Sequence, residues 1–572
     1  MGTDSLFGQD GNDTFFWVPG DGNDSIEGSS ENDTLLVSGS GANETVELSA
    51  NGSRLRVFRN VANVVLDVAG VERVDFEARG GSDLIVVSTL AGTGVQQLTL
   101  DLEGTANTNT PDGQPDSMIV FGGTGDDQIT IAGTGNTLSI TGAGPTIYIR
   151  NPEGALDSLS VYGIDGHDQI NAQNLTAGLV KLTIEGGPGH DTITGSRGSD
   201  ALAGGEGDDT FVWTLGLPAD LIGGEAGNDT LQVLGSGLAE NVTVSAGALE
   251  AHILNGADGV TFAVDVEEVL LQPRSGADQI TVNTLAGAAL QKVTLDLRPS
   301  TTVPTGDGHP DAIVVNGTQG ADNINISGAA GGLTLSGLAP TVVIKGSDYA
   351  RDTLTVNSGF EADVLNASGL GADVIRLVVR GGLGSDILTG GLGDDVFTWF
   401  PGDSSDVIEG GPGNDTLQVS GSGANETISM SANGPRLRFT RDIGSVVVDT
   451  DAVERVTFAA QGGSDTISLG DLGGTAVRQV AFDLANPANG TGDGQPDTMS
   501  IIAVTTSAIA TSLGPGTMAI TWSGVRIAVT GVEPTNDRLI LQTAAGAAAT
   551  MISAVERERT TAGEAGSDGA RP

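Results

Sequence analysis

The stretch GGPGHDTITGSRGSDALAGGEGDDTFVW, residues 186–213, repeats a glycine-rich turn, an aspartate and an apolar residue every nine positions, with Asp191, Asp200 and Asp209 in register. This period constrains the fold more than any other feature of the chain. A helix is excluded, because each glycine in a helix interior costs about 1 kcal/mol relative to alanine. The nonapeptides GGPGHDTIT, GSRGSDALA and GGEGDDTFV each read as six turn-forming residues and three strand residues, of which the middle one (Ile193, Leu202, Phe211) points inward. Nine residues make half a coil. Two nonapeptides close an 18-residue turn of a flattened spiral, with a short strand on each side and a loop at each end.

Stacking such coils brings loop carbonyls and Asp carboxylates together, and anions packed that closely need a cation. Calcium suits the site, since it takes about 6 to 8 hard oxygen ligands in flexible geometry. The glycines of the loops allow left-handed backbone and leave carbonyls unobstructed by a Cβ. Several tandem copies of GGxGxDxUx make the pattern specific, and it resembles the RTX, or hemolysin-type, calcium-binding repeat of bacterial secreted proteins. That resemblance implies calcium as cofactor, a parallel β-roll and an extracellular or cell-surface location.

The nine-residue unit sits inside a larger one. GNDTFFWVPGDGNDSIEG from Gly11 recurs as GDDTFVWTLGLPADLIGG from Gly207 and GDDVFTWFPGDSSDVIEG from Gly393, at offsets of 196 and 186. The third module lacks one nonapeptide, as a solenoid tolerates and a closed core does not. Between the loops lie short β-branched or alternating runs such as RLRVF and VKLTIEG. The expected fold is therefore all-β: a parallel β-roll or β-helix solenoid of three tandem modules over residues 1–185, 186–380 and 381–550, then a disordered tail over 551–572. A β-sandwich-like insertion at residues 36–78 and their equivalents is left open. The alternation of RTX blocks with DGQxD-type segments also resembles a class of large bacterial calcium-binding proteins.

In a two-nonapeptide coil, a cation should sit between aspartates 18 apart. Asp191 and Asp209 meet that spacing. The pairs Asp200/Asp220, Asp209/Asp229, Asp4/Asp24, Asp13/Asp33, Asp386/Asp406 and Asp395/Asp415 are 20 apart, which reads as an enlarged loop rather than a broken register. The seven pairs predict roughly seven calcium ions. The glycines expected to present carbonyls are Gly186, Gly187 and Gly189; Gly195 and Gly198; Gly204, Gly205 and Gly207; Gly223 and Gly224; Gly381, Gly382 and Gly384; Gly390, Gly391 and Gly393; and Gly410, Gly411 and Gly413. A single nonapeptide at 122 adds Gly122, Gly123, Gly125 and Asp127, while its third-module counterpart, VTTSAIATS from Val504, carries no carboxylate. The DGxPD clusters Asp112/Asp116, Asp307/Asp311 and Asp493/Asp497 either chelate or cap a turn. Trp17, Trp213 and Trp399 occupy one repeated position and are expected to pack in the core.

Formal charge is 25 − 73 = −48, which disfavours nucleic acid and anionic membrane as partners and favours cations. No hydrophobic run approaches the roughly 20 residues of a membrane span. The absence of cysteine excludes disulfides and thiolate metal sites. Four scattered histidines form no HExxH, and no serine carries the flanking glycines of a nucleophile elbow. The enzymatic alternative, a polysaccharide lyase, epimerase or hydrolase on a parallel β-helix, needs one unique site, whereas these features come in triplicate. A calcium-binding, secreted or surface-associated spacer or adhesin segment, without catalytic activity and with a cell-surface or matrix partner left unspecified, is the expected function.

Overall fold

Each glycine-rich turn is followed by a strand that exposes one face, and the strands alternate between two parallel sheets, one per half-coil. The structure, a computed structural model, describes residues 2–106, 108–246, 250–255, 258–263, 265–284, 289–485, 492–503, 510–514, 517–522, 524–533, 535–543 and 550–552. Residues 504–509 and 553–572, which include the first six residues of the VTTSAIATS segment and most of the expected tail, lie outside them. No α-helix occurs among the described residues, and so no helix there is long and apolar enough to cross a membrane. The chain forms two compact units, Met1–Arg274 with Leu285–Asp296, and Ser275–Thr284 with Leu297–Pro572.

In the first unit Thr192–Thr194 pairs in parallel with Thr210–Thr214 at an offset of 18, and Thr210–Thr214 pairs with Thr230–Leu234 at an offset of 20. The same 20-residue register joins Ser5–Gln9 to Ser25–Ser29 and Thr14–Trp17 to Thr34–Ser38. In the second unit it joins Ile387–Thr389 to Val407–Glu409 and Val396–Trp399 to Thr416–Ser420. The longer coil thus keeps its register and enlarges a loop, as the sequence predicts. Inward side chains stack on their equivalents: Ile129, Ile170, Ile193, Phe211, Leu231, Val269 and Val293 form one continuous buried row. Each such side chain contributes about 1.5–3 kcal/mol by leaving water. Outward, Thr192, Thr210 and Thr230 stack as β-branched neighbours on the half-exposed face.

The segments open to a sandwich-like insertion are three-stranded antiparallel meanders built into the coil sheets. Thr45–Asn51, Arg54–Arg59 and Val64–Ala69 form the first, and its outer strands continue the parallel sheet against Leu84–Val87 and Ser25–Ser29. A buried ion pair clamps it: Arg59 Nε donates to Glu44 Oε2 at 2.9 Å. The second unit repeats the clamp with Arg441 and Glu426, again at 2.9 Å. Breaking such a pair would strand a buried charge.

The missing nonapeptide has a topological effect. In the first unit eight strands separate the meander ending at Thr146–Arg150 from the one starting at Asn241–Ala246, and the two lie in opposite sheets. In the second unit only seven strands separate Thr341–Lys345 from Thr427–Asn433, and those meanders share a sheet.

Trp17, Trp213 and Trp399 are core residues, each about 2% exposed or less. Each indole N–H also donates to a carbonyl five residues on, Gly22 at 3.0 Å, Pro218 at 3.3 Å and Ser404 at 2.9 Å. These bonds pin the two additional residues of the enlarged loop. Trp399→Phe removes the donor together with part of the buried ring system, and should cost at least about 1–2 kcal/mol in urea unfolding at saturating calcium. A change within about 0.3 kcal/mol of zero would mean that the loop is held without the indole.

Candidate metal centre

The ladder acid stands just before each strand, where its backbone is fixed by the sheet and its side chain folds back into the preceding loop. All seven aspartate pairs drawn from the sequence are brought together. The N–H of one donates to Oδ1 of the next: Asp191 to Asp209 at 2.7 Å, Asp200 to Asp220 at 2.9 Å and Asp209 to Asp229 at 2.8 Å. Asp4 to Asp24, Asp13 to Asp33, Asp386 to Asp406 and Asp395 to Asp415 repeat the bond at 2.7–3.0 Å.

The ladder runs beyond the nonapeptides. In the first unit Asp127 donates to Asp168, Asp168 to Asp191, and Asp229 to Glu267 Oε2, all at 2.7–2.9 Å. A separate run passes from Glu44 through Asp83 and Asp116 to Asp157. The second unit carries Asp322–Asp363–Asp386 and Glu426–Asp465–Asp497–Asp537. The sequence singles out Asp127, Asp116 and Asp497 but not the members that join them, such as Asp168, Asp83 and Asp465, because their coils return after 23 to 41 residues rather than 18 or 20. A usable signal existed: a glycine five residues before the acid, as in Gly163/Asp168, Gly39/Glu44 and Gly421/Glu426, where a Cβ would collide with the carboxylate or with a neighbouring carbonyl.

One oxygen of each acid is thereby used; the fate of the other divides most of the loops into two kinds, while the enlarged loops before Asp24, Asp220 and Asp406 are left-handed at Gly20, Gly216 and Gly402 without leaving a buried, donorless Oδ2. In the first kind the residue four before the acid donates its N–H to the second oxygen. Gly123 caps Asp127, Ser196 caps Asp200 and Gly391 caps Asp395 at 2.5 Å each, and Thr318 caps Asp322 at 2.6 Å. In the second kind that residue is left-handed, which turns its N–H away. Gly187 (φ 110°) precedes Asp191, Gly205 (114°) Asp209, Gly382 (90°) Asp386 and Gly411 (96°) Asp415. Gln9 (75°), Ser29 (90°), Ile164 (88°) and Glu225 (72°) hold the same conformation before Asp13, Asp33, Asp168 and Asp229, at a steric cost for any side chain. In all eight of these loops the aspartate Oδ2 is buried without a hydrogen-bond partner.

A buried carboxylate oxygen with no donor is an expensive arrangement, and backbone carbonyls surround it. A Cβ on Gly205 would strike the Gly187 carbonyl, and one on Gly207 the Gly189 carbonyl, so successive coils present their loop carbonyls to each other across bare glycine. Among the described residues no three Asp, Glu or His side chains converge on one point. A cation here would take mostly carbonyl oxygens and one or two carboxylates, an oxygen-only set that fits calcium.

A second ladder, which the sequence reading did not anticipate, lies one residue earlier. His167 N–H donates to Asp126 Oδ1 at 2.8 Å, His190 N–H to His167 Nδ1 at 2.8 Å, and Asp208 N–H to His190 Nδ1 at 2.7 Å, with the two imidazoles stacked 5.0 Å apart. Two histidines that look scattered in the sequence are therefore neighbours in adjacent coils.

A parallel β-roll whose loops carry buried, donorless carboxylates facing carbonyls is the architecture of a calcium-binding repeat. The model of the RTX calcium-binding nonapeptide repeat matches the chain at residues 2–16, 19–42, 183–211, 378–398 and 401–425. The chain carries several copies of the RTX repeat and forms the β-roll that goes with it. No curated protein matches it.

Burial, first of all, raises the ladder carboxyls: Asp209 and Asp415 to about 7, Asp168 and Asp229 to about 6, with neighbouring carboxylates adding to the effect. Ordinary aspartate titrates near 3.9 in an unfolded chain. Through these groups the metal-free fold binds more protons than the unfolded chain across this interval, so the stability they contribute is fully present below about pH 4 and is lost as pH rises through about 6–7. Metal-stripped protein should lose β-sheet circular dichroism between about pH 5 and 8, whereas calcium should reverse the trend and release protons on binding near pH 6.5. Pairs of pH titrations with and without calcium that coincide would contradict this.

Proposed function

We propose that the chain is a calcium-dependent structural segment, secreted or held at the cell surface, that folds when it meets calcium and then serves as a spacer or adhesin-like element. The observation that carries this reading is the set of donorless buried Oδ2 atoms in the left-handed loops. Calcium would sit at the loops of Asp13, Asp33, Asp168, Asp191, Asp209, Asp229, Asp386 and Asp415, held by these carboxylates and by the carbonyls of their turns. The loops of Asp127, Asp200 and Asp395, whose second oxygen is already capped, would bind it weakly or not at all. When bound, the ion supplies the positive charge and the oxygen-shell coordination that the loops lack.

The protein's part is to pre-arrange oxygens and exclude water by stacking, which couples binding to folding. A chain of net charge −48 repels itself until cations enter, so it would remain loose where calcium is scarce and compact where calcium is abundant. Sites in the range of about 10⁻⁴–10⁻³ M would suit the extracellular side. Repetition of one site over successive coils favours a binding and structural role over catalysis.

Titrating calcium into metal-stripped protein at constant ionic strength should raise the β-sheet signal cooperatively, and magnesium, which demands a smaller octahedral shell, should replace it poorly. Indistinguishable spectra in chelator and in millimolar calcium at pH 7.5 would refute the proposal.

The two kinds of loop give a sharper comparison. Asp209→Asn keeps an acceptor for the Asp191 N–H but removes the donorless charge, whereas Asp200→Asn alters a capped loop. Asp209→Asn should raise the calcium midpoint several-fold and lower the bound-ion count, with Asp200→Asn near wild type on both. Equal effects would show that capping does not decide which loops bind.

A further inference from the structure

The donorless carboxylates extend beyond the nonapeptide repeats to a place that the family match does not cover. In the first unit Asp83, 3% exposed, leaves Oδ2 without a partner. Asp112, from the DGQPD segment, has its Oδ1 taken by the Gln114 N–H at 2.8 Å, while its Oδ2 is shut off from solvent and equally without a partner. Both acids border the turn Arg79–Gly80–Gly81. Asp112 Oδ2 lies where a Cβ on Gly80 would meet it at 3.7 Å, and the Asp112 charge bears on Asp83. Arg79 is left-handed at φ 75°, as in the donorless loops of the repeats. A cavity opens here, bordered by Gly41, Arg79, Gly80, Gly81, Gly104 and Asp112, with the Arg79 guanidinium engaged by Glu77 and Ser38.

The second unit rebuilds this arrangement from different surroundings. Asp465, 1% exposed, and Asp493, in the second DGQPD segment, both leave Oδ2 buried without a partner. The Asp493 Oδ1 accepts from the Gln495 N–H at 2.8 Å, its Oδ2 lies 3.4 Å from the Cβ position of Gly462, and Gln461 is left-handed at φ 69°. The third copy departs in a telling way. Its segment reads DGHPD, and Asp307 Oδ2 accepts the Gly276 N–H at 2.9 Å and lies 3.1 Å from His309 Nδ1, while Oδ1 accepts the His309 N–H at 2.8 Å. Both oxygens of Asp307 are engaged, and Ser275 stands where the other copies have Gly80 and Gly462.

We propose that Asp83 with Asp112, and Asp465 with Asp493, form two calcium sites outside the RTX repeats, and that the Asp278/Asp307 copy has lost the site to its own histidine and backbone. Two carboxylates separated by an open glycine turn form an oxygen-only donor set, and a dication would relieve both the mutual repulsion and the two unmet acceptors. These sites would clamp the DGQPD segment onto the ladder loop beside it.

The experiment is a calcium count by equilibrium dialysis and elemental analysis on the full chain at saturating calcium. Asp112→Asn combined with Asp493→Asn preserves the acceptor for Gln114 and Gln495 and should reduce the count by two with an unchanged β-sheet spectrum. Asp307→Asn should leave the count at the wild-type value. An unchanged count in the double variant overturns the proposal. So does a loss that comes with a collapsed spectrum and is matched by Asp307→Asn, since that marks a structural role for the segment. Because Asp209→Asn reports on the repeat loops separately, failure here leaves the reading of the repeats intact, and failure there leaves these two sites to be judged by their own count.

Discussion

The interaction on which everything else depends is a hydrogen bond from one coil's backbone to the next coil's carboxylate. It is charge-assisted, 2.7–3.0 Å long, and made at the residue where loop becomes strand. Because the donor belongs to the acid of the preceding coil, each carboxylate sets the height of its neighbour. The inward aliphatic rows and outward threonine rows then fall into line. A one-residue slip would turn every core side chain outward, so the ladder and the hydrophobic pattern enforce the same register.

That bond satisfies half of each carboxylate and leaves an electrostatic debt in the other half. The chain settles it in two ways that differ by one backbone angle. Where the residue four before the acid stays out of the left-handed region, the loop closes on itself, as Ser196 does on Asp200. Where it turns left-handed in a loop of ordinary length, as at Gly205, the second oxygen is left without a donor. Even Ile164, a β-branched residue at φ 88°, is held in that strained form, so the coil stacking around it outweighs a local preference of about 1 kcal/mol or more.

The nine-residue period made the half-coil, the alternating sheets and the seven aspartate pairs legible, because each depends on residues 18 or 20 apart. What lay beyond reach depends on coils of irregular length. Asp168 sits in GIDGHD, a recognisable loop, yet its partners are 41 residues before and 23 after. The meanders were equally obscure: RLRVF alternates like any half-buried strand, and nothing in it says that its neighbours run antiparallel. Arg59 and Glu44 are 15 apart and meet only because the meander folds back. The difference between open and capped loops was hidden for another reason. Gly123 and Gly187 are the same residue in the same motif position, and only the second is left-handed.

The unequal strand count between successive meanders, eight in one unit and seven in the other, makes repeat number a matter of parity. Adding or deleting two nonapeptides returns the following chain to the face it already occupied. Adding or deleting one sends it to the opposite face, with no change of core, register or ladder. Drift in repeat number, the commonest accident of a repetitive gene, therefore acts on such a chain as a reversible inversion of what it displays, and selection for a given surface would be felt as selection for odd or even numbers of half-coils.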